Sequence, residues 1–359
     1  MAIVFVLIAI LQVLAGYFCA KVVQYVTRKA WLGTLAMLFT VVPVVSIYLK
    51  KSLVHCEWFT NGFCYLGYIY LGFILYFPMY CVAAFVFHKF YKKIRLKKLL
   101  SAGFILIPIL LFGGYLNAIN PRLKTINIES NSGNVEGNSD LKICFVSDIH
   151  VGCINTRHIL NRVADCINRV NPDVVIFGGD VLDIEALKVY EKTFVDIMRD
   201  KITSKYETYT VIGNHEIYAG VEDCVRLLKK AGIKILIDKA VKVKGFDIVG
   251  RLDQTVRRRK SLSQIVSGKE ENLIVVDHTP SAIEESANHR ALLHLSGHTH
   301  AGQTFPMNLV VNYMFGPTGD LRKVKDTYAY ITNGAGFWGP PYRIGNIPEV
   351  VLVKISRKK

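Results

Sequence analysis

The stretch ICFVSDIH, residues 143–150, joins an apolar run of strand length to a polar cluster that contains Asp148 and His150. Four later apolar runs end in the same way, in the clusters GGD (178–180), GNHE (213–216), DHT (277–279) and SGHTH (296–300). Amphipathic helical patterns separate these runs, and such alternation is typical of a layered α/β fold. Because ligands of open α/β sheets bind beyond the carboxyl ends of strands, we expect the five clusters to meet at one crevice.

Apolar runs and helical periodicity predict the other elements of this region. One helix carries apolar residues at 159, 160, 163, 167 and 170, and another begins after Asp183 as its N-cap and continues through Phe194 and Met198. A third carries Val221, Val225 and Leu228. The predicted strands cover residues 143–146, 174–177, 209–212, 233–237, 246–249, 273–276, 292–295, 328–331 and 350–355.

The five clusters supply oxygen and imidazole donors and no thiolate. The candidate metal ligands are Asp148, His150, Asp180, Asn214, His278, His298 and His300. Such donors suit Mn, Fe, Zn or Mg. They are too many for one tetrahedral zinc, but two divalent ions can share them if one carboxylate bridges ions about 3.5–4 Å apart. Glycines at 178, 179, 213 and 297 fit tight turns beside such a site.

In these residues the chain resembles the calcineurin-like metallophosphoesterases. The pattern D-x-H, GD, GNH followed by an acid, a lone H, and GHxH occurs once, complete and in order. SDIHVG, GHTHAGQTFP and the closing run YAYITNGAGFWGPPYRIGNIPEVVLV are similar to the membrane-associated bacterial branch, and the resemblance covers about residues 124–356. Two departures, HTP at His278 in place of HNP and HAGQ in place of HGGQ, replace no ligand.

The resemblance implies a role for each candidate residue. Asp148, His150 and His300 would bind one ion, Asn214, His278 and His298 the other, and Asp180 would bridge them. His215 would be the catalytic histidine that assists the leaving group without binding metal. The implied fold is α/β, a four-layer β-sandwich flanked by helices, and the implied reaction is hydrolysis of a phosphodiester, phosphomonoester or pyrophosphate. A catalytically inactive metal-binding or interaction module on a membrane anchor is the alternative.

The first third of the chain has a different character. The mean hydropathy of the whole chain, +0.30, is high for a soluble protein, and four uncharged stretches, 2–20, 30–49, 58–87 and 99–121, are long enough to span a bilayer. We therefore predict an all-α four-helix transmembrane region over 1–121, a linker and entry segment over 122–140 and a catalytic domain over 141–359. No charge interrupts these stretches, which argues against a transporter.

The charge distribution indicates partners and topology. The net charge is +16, but residues 1–120 hold 11 Lys and Arg against one acid, so the excess lies mainly beside the membrane and predicts no nucleic-acid partner. Six basic residues between 89 and 98 predict a cytoplasmic loop, which places the catalytic domain outside the cytoplasm of a multi-pass cell-membrane protein. Lys50 and Lys51 favour the opposite orientation. The lipid bilayer is then the expected partner, and a lipid or envelope precursor the favoured phosphorylated substrate.

Several residues stay open between structural and functional roles. Glu216 and Asp277 either orient ligand imidazoles or are solvated or capping residues. The basic run 257–260 either contacts an anionic substrate or headgroup or is a solvated loop. Five further histidines, His55, His88, His158, His289 and His294, are expected to be surface or structural residues. The eight cysteines form no CxxC pair, and we expect Cys144 and Cys166 to be buried thiols.

Overall fold

The structure is a computed structural model that describes residues 2–45, 57–130, 140–152, 154, 156–188, 190–266 and 272–357. Its contacts divide the chain into two units. The first comprises Met1–Leu116 with Gly339–Tyr342, and the second comprises Asn117–Trp338 with Arg343–Lys359.

The first unit is built from apolar helices, and the helices that the structure describes there are α1 (Ala2–Thr27), α2 (Ala30–Leu38), α3 (Glu57–Phe90) and α4 (Leu96–Ala118). Within α1, α3 and α4, the segments Ile10–Thr27, Gly62–Phe90 and Leu96–Ala118 are long and apolar enough to cross a membrane. Side chains such as Leu11, Ile105 and Phe112 are more than 60% exposed, which is expected of a surface that contacts lipid.

The second of the four predicted spans has a shorter described helix. It is apolar and helical over Ala30–Val45, and the last part of the predicted stretch, residues 46–49, lies outside the described residues. Among the described residues, three helices therefore meet the length of a span where the sequence predicts four.

Two six-stranded sheets form the second unit. The first has the order β1-β12-β2-β3-β4-β5, with β1 Arg122–Ser130, β2 Leu141–Val146, β3 Val174–Phe177, β4 Thr208–Thr210, β5 Lys234–Ile235 and β12 Glu349–Arg357. The second has the order β10-β11-β9-β8-β7-β6, with β6 Lys239–Val243, β7 Phe246–Gly250, β8 Leu273–Val276, β9 Leu293–Ser296, β10 Leu321–Val324 and β11 Thr327–Ile331. Strands β2 to β5 pair in parallel, as do β7, β8, β9 and β11.

The two sheets pack face to face, with helices outside them. Apolar side chains of both sheets, among them Phe145, Ile176, Ile274 and Leu295, form one continuous core. A second core joins the outer face of the first sheet to its helices, α5 (Thr156–Val170), α6 (Ile184–Lys188), α7 (Glu191–Lys201) and α9 (Val221–Lys230). The other helices are α8 (Asn214–Ala219), α10 (Ile283–Asn288), which packs on the outer face of the second sheet, and α11 (Met307–Phe315). The predicted four-layer α/β sandwich is confirmed.

Two predicted features differ from the structure. The region 122–140 was expected to be a linker and entry segment, for which no strand was predicted, and its first part is strand β1, which pairs with β12 over nine residues and buries Ile126, Ile128 and Ser130. Residues 131–139 lie outside the described residues. The helix expected after Asp183 is also two helices, because α6 ends at Lys188 and α7 begins at Glu191.

Candidate metal centre

The five polar clusters meet as expected, because each directly follows a strand or its short extension. Hydrogen bonds between backbone groups join neighbouring loops. The Asp148 amide donates to the Gly179 carbonyl at 3.1 Å, and the His150 amide donates to the Asp180 carbonyl at 3.0 Å. The Gly297 amide likewise donates to the carbonyl of His278 at 2.9 Å, within the second sheet's pair of clusters. Two further hydrogen bonds cross between the sheets, from His278 Nδ1 to the Gly178 carbonyl and from the His298 amide to Asp148 Oδ1, so the loops of both sheets are joined.

Three overlapping groups of side chains in this frame have the proximity of metal ligands. They are Asp148 with His150 and His300, His150 with Asp180 and His215, and Asp180 with His278 and His298. Within each group, the donor atoms lie within 4.8 Å of one another. Asn214, the remaining candidate, places Oδ1 3.1 Å from His278 Nε2 and 2.9 Å from His298 Nδ1. All seven candidate ligands are therefore brought together.

Asp180 lies at the centre of the arrangement. Its Oδ2 is 3.8 Å from His150 Nε2 and 3.1 Å from His278 Nε2. Its Oδ1 accepts the backbone N–H of His215 at 2.9 Å. That hydrogen bond fixes the carboxylate so that a single oxygen faces histidines of two different groups.

Hydrogen bonds on the far side of two rings determine which nitrogen faces Asp180. His278 Nδ1 lies 2.8 Å from the carbonyl of Gly178, and because a carbonyl only accepts, Nδ1 must carry a proton. His150 Nδ1 donates in the same way to Asp183 Oδ1 at 3.0 Å. Nε2 is therefore the nitrogen of each ring that faces Asp180 Oδ2. An imidazole whose Nδ1–H is held by a carbonyl or carboxylate is oriented to bind a metal ion through Nε2, so the donor set fits metal binding.

The electrostatics of the site agree with this. Burial alone would lower the pKa of His150, but Asp183, Asp180 and Asp148 outweigh it and raise the pKa to about 9. Burial likewise opposes protonation of His278, yet Asp180 and then Asp148 raise its pKa well above the usual value. These carboxylates create a negative potential that any cation at the site offsets.

The other two histidines show the opposite shift. Burial, reinforced by His278, lowers the pKa of His298. Burial followed by the neighbouring His150 and Arg343 lowers the pKa of His300 far below its usual value. Both rings therefore stay neutral near neutral pH and retain a lone pair for a cation.

The backbone is strained where the candidate ligands sit. Asp148, His150, Asp180, His298 and His300 all have φ between 49° and 70°. Non-glycine residues in this left-handed region each cost on the order of 1–3 kcal/mol, and such residues are concentrated at functional sites. Gly297 lies so close to the loop of Asp148 that a Cβ there would overlap Ser147 Oγ and Asp148 Oδ2.

His215 lies beside the candidate ligands and is held by the carboxylate of Asp183. Its ring centroid is 4.5 Å from that of His150, and its Nδ1 is 2.7 Å from Asp183 Oδ1. Asp183 was predicted to be only an N-cap. Its side chain instead accepts from both His150 and His215, and these histidines keep its pKa well below the usual value although burial opposes them. Asp183 therefore positions both rings.

Neither Glu216 nor Asp277 orients an imidazole. The buried Glu216 carboxylate accepts backbone N–H groups of Asp180, Val181, Leu182 and Gly213 at 2.7–3.0 Å. It therefore fastens the loop of Asp180 to the loop of Asn214. The Asp277 carboxylate pairs with the guanidinium of Arg259, at 2.7 Å for the shorter contact.

The basic run 257–260 is thus divided between two roles. Arg259 forms a largely buried ion pair with Asp277, while Arg257, Arg258 and Lys260 are exposed.

Arg343 is a site residue that lies outside the five polar clusters. It is 1% exposed and donates to the carbonyls of His300, at 3.1 Å, and of Gly336 and Asn333. Its Nη2 also lies 3.1 Å from His300 Nδ1. The guanidinium thereby fixes the turn that carries His300 to the closing segment of the chain. Arg343 and His300 are 43 positions apart in the sequence, and the fold brings them together.

The remaining histidines and cysteines take no part in this cluster as far as the structure describes them. His158 is exposed, and His294 is buried with Nδ1 2.7 Å from Ser286 Oγ. The described cysteines, which include Cys144 and Cys166, are buried free thiols. His55 lies outside the described residues.

Comparison with known proteins gives the same assignment as the motifs. A model of the calcineurin-like phosphoesterase family matches residues 141–302, which contain all five clusters. An uncharacterized metallophosphoesterase of Helicobacter pylori strain J99 is 32% identical over 275 residues, covering 73% of this chain and 72% of that protein. Another, from H. pylori strain 26695, is 30% identical over 276 residues, covering 73% of this chain and 72% of its own.

A vertebrate relative carries in its name both a transmembrane protein and a metallophosphoesterase domain. The "transmembrane protein with metallophosphoesterase domain" of Danio rerio is 29% identical over 275 residues, covering 70% of this chain and 62% of that protein. The regions similar to the two H. pylori proteins cover 73% of this chain, which is more residues than the range 141–359 contains. The similarity therefore extends into the residues before 141. The ordered motifs, the four-layer fold and these relatives agree with one another. The chain belongs to the calcineurin-like phosphoesterase family.

Proposed function

We propose that this protein is a membrane-anchored phosphoesterase that uses two divalent metal ions to hydrolyse a phosphodiester, phosphomonoester or pyrophosphate. The observation that carries the proposal is the position of Asp180 Oδ2, which faces histidines of two separate donor groups. A carboxylate oxygen shared in this way suits two neighbouring cations.

The donors divide between the two ions by proximity. Asp148, His150 and His300 would hold one ion, and Asn214, His278 and His298 the other, with Asp180 between them. Either ion could be Mn, Fe, Zn or Mg, because the donors are imidazole nitrogens and oxygens. When bound, the ions would neutralise phosphoryl oxygens and lower the pKa of water near the phosphorus.

His215 would handle the proton of the leaving group. Its Nδ1 donates to Asp183, so Nε2 is the nitrogen that exchanges a proton with substrate. The hydrogen bond to Asp183 holds the ring in one orientation. His215 also lies 5.7 Å, between ring centroids, from the half-exposed Trp338, which places it at the outer edge of the site.

Location favours a substrate in or near the membrane. Three apolar helices and the relatives called transmembrane proteins support a multi-pass cell-membrane protein. The basic loop between α3 and α4 supports an extracytoplasmic catalytic domain. A lipid or envelope precursor would then be the substrate, and no nucleic-acid partner is required.

The test is hydrolysis by the purified full chain loaded with Mn, Fe, Zn or Mg. The substrate panel comprises nitrophenyl phosphomonoesters and diesters, phospholipids and nucleotide diphosphate sugars. We expect metal-dependent turnover of at least one class, abolished by a chelator and restored by the ion. A chain that binds metal but hydrolyses none of them would favour the inactive-module alternative.

A further inference from the structure

Helix α11 exposes apolar side chains next to the metal centre. None of its nine residues is buried. Met307, Leu309, Val310, Tyr313 and Met314 are between 46% and 91% exposed, and the preceding Phe305 is 41% exposed. We call these six residues the apolar surface.

The polarity of this helix is the reverse of that of a helix on a water-facing surface. Asn308 and Asn312, one turn apart, line a cavity of about 590 Å³ whose wall also includes Lys124, Asn333 and Asn346. A helix packed on a soluble domain buries its apolar stripe and exposes its polar one. Here both asparagines line a polar cavity, although Asn312 is also exposed, while the apolar side chains face outward and lack an apolar medium within the domain.

The composition of the segment indicates what that medium is. Residues 301–319 contain no charged side chain, although one residue in five of the whole chain is charged. The face of a helix that enters the acyl boundary of a bilayer lacks charged side chains, and tyrosine is favoured at that boundary because its ring is apolar and its hydroxyl polar. The same chain carries candidate spans, so a bilayer is always within reach of this domain.

The helix is mechanically coupled to the site. A Cβ at Gly302 would overlap the backbone of Met307 and Asn308, so α11 packs directly on the turn His300–Gly302. The side chain of Gln303 is also hydrogen-bonded to the backbone of Trp338, whose ring adjoins that of His215.

We propose that the apolar surface docks on the lipid bilayer and thereby presents the metal centre to the interface. The docking itself depends only on α11 and Phe305. Its consequence, that the scissile phosphate belongs to a molecule carried by the bilayer, rests on the proposed function.

Fluorescence in lipid nanodiscs tests the docking. In the full chain with Trp31, Trp58 and Trp338 changed to Phe, Tyr313→Trp supplies a single reporter on the apolar surface. The matched control is Tyr206→Trp, because Tyr206 is also exposed, at 52%, but precedes the amino end of β4, away from the site. Acyl-brominated lipids should quench the reporter at 313 and leave the one at 206 unchanged.

Two fluorescence results would overturn the proposal. Equal and weak quenching at both positions would mean that α11 remains in water. A blue-shifted but unquenched signal at 313 would mean that a protein surface, such as a second copy of the chain, covers the helix instead.

A matched pair of substrates tests the consequence for activity. Hexadecyl nitrophenyl phosphate embedded in the nanodisc and ethyl nitrophenyl phosphate in solution have the same scissile bond. Leu309→Ser with Val310→Ser should lower kcat/KM for the embedded ester by on the order of tenfold and leave the soluble ester unchanged, because less apolar surface enters the bilayer. Tyr206→Ser should affect neither.

The outcomes separate the two proposals. An equal loss on both esters would contradict presentation of substrate by docking. If neither ester is hydrolysed by the unaltered chain while the reporter at 313 is quenched, the docking holds and the proposed function fails.

Discussion

Asp183 shows how one carboxylate can assign different tasks to two histidines. His150 and His215 both donate an Nδ1 proton to its Oδ1, at 3.0 and 2.7 Å. His150 then points Nε2 at Asp180, among the candidate ligands, and its side chain is 1% exposed, whereas the His215 side chain is 19% exposed. The two rings differ in what their second nitrogen faces, and in the proposed mechanism this difference would separate metal binding from proton transfer.

His215→Ala should keep both metal ions and lose rate. The loss should be roughly 10²- to 10⁴-fold for phosphate esters with poor leaving groups, because these need a proton in the transition state. Nitrophenyl esters need little protonation and should lose much less. Steady-state kinetics on the two ester types decides this, and an equal loss on both would contradict the role of His215 as an acid.

His294 should make the fold sensitive to acid. Burial, with Arg251 and Arg259 nearby, lowers the pKa of its ring to about 3, while an unfolded chain has the usual value near 6.5. Between these values only the unfolded chain binds the proton, so the contribution of the neutral ring to stability is complete above pH 6.5 and decreases as the pH falls. The decrease should approach about 1.4 kcal/mol per pH unit.

Thermal unfolding of the full chain and of His294→Asn, measured from about pH 7 down to 4, tests this. The variant should lose less stability over the range than the unaltered chain. Parallel curves would show that His294 is not the titrating group.

At the scale of elements, the junction between strand and loop carries the site. Each cluster leaves its strand through a tight turn, and in three of the five clusters non-glycine residues adopt positive φ: Asp148 and His150, Asp180, and His298 and His300. The strain is held by interlocking contacts such as that of Gly297 with the loop of Asp148.

Gly297→Ala should therefore disrupt the centre. The new Cβ would overlap Ser147 Oγ and Asp148 Oδ2 and push the loop of His298 away from Asp148. A displacement of about an ångström at a catalytic centre can cost roughly 10²-fold in rate, and we expect a loss of that size with reduced metal content.

Gly232→Ala is the control for this substitution, because Gly232 has φ +80° but open space around it. It should cost about 1 kcal/mol of stability and leave activity intact. Equal activity of the two variants would contradict the packing argument.

The elements that carry the site could be predicted from sequence, since each couples a buried apolar strand to a distinctive cluster. The edge strands β1, β6 and β10 were missed. β6 and β10 are short and interrupted by basic residues, and β1 carries Arg122 and Lys124 in its first half, a composition that also protects exposed sheet edges. Asp183 was assigned a capping role because an acid before a helix looks the same whether its carboxylate caps the helix or reaches a distant histidine. Nothing local marks Arg343, whose partners lie in other loops.

For the whole molecule, the distribution of charge predicts on which side of the membrane the domain with the candidate metal centre lies. The loop between α3 and α4 contains Lys89, Lys92, Lys93, Arg95, Lys97 and Lys98, and such clusters stay in the cytoplasm. The chain after α4 would then lie outside. Lys50 and Lys51 oppose this orientation but are fewer.

Reporter fusions after Lys359 test the orientation. Alkaline phosphatase should be active there and ordinary green fluorescent protein dark, because the first folds only after export and the second only without it. The reverse pair of results would overturn the topology and indicate a cytoplasmic substrate.

The central claim, two metal ions that share one carboxylate, is tested most directly by the metal content and activity of Asp180→Asn beside Asp148→Asn. Elemental analysis of the unaltered full chain should find two ions per chain. Asp180 Oδ2 faces histidines of both donor groups, whereas Asp148 belongs to one. Asp180→Asn should therefore lose more metal than Asp148→Asn and all activity. Two ions still bound to Asp180→Asn with activity retained would contradict the account.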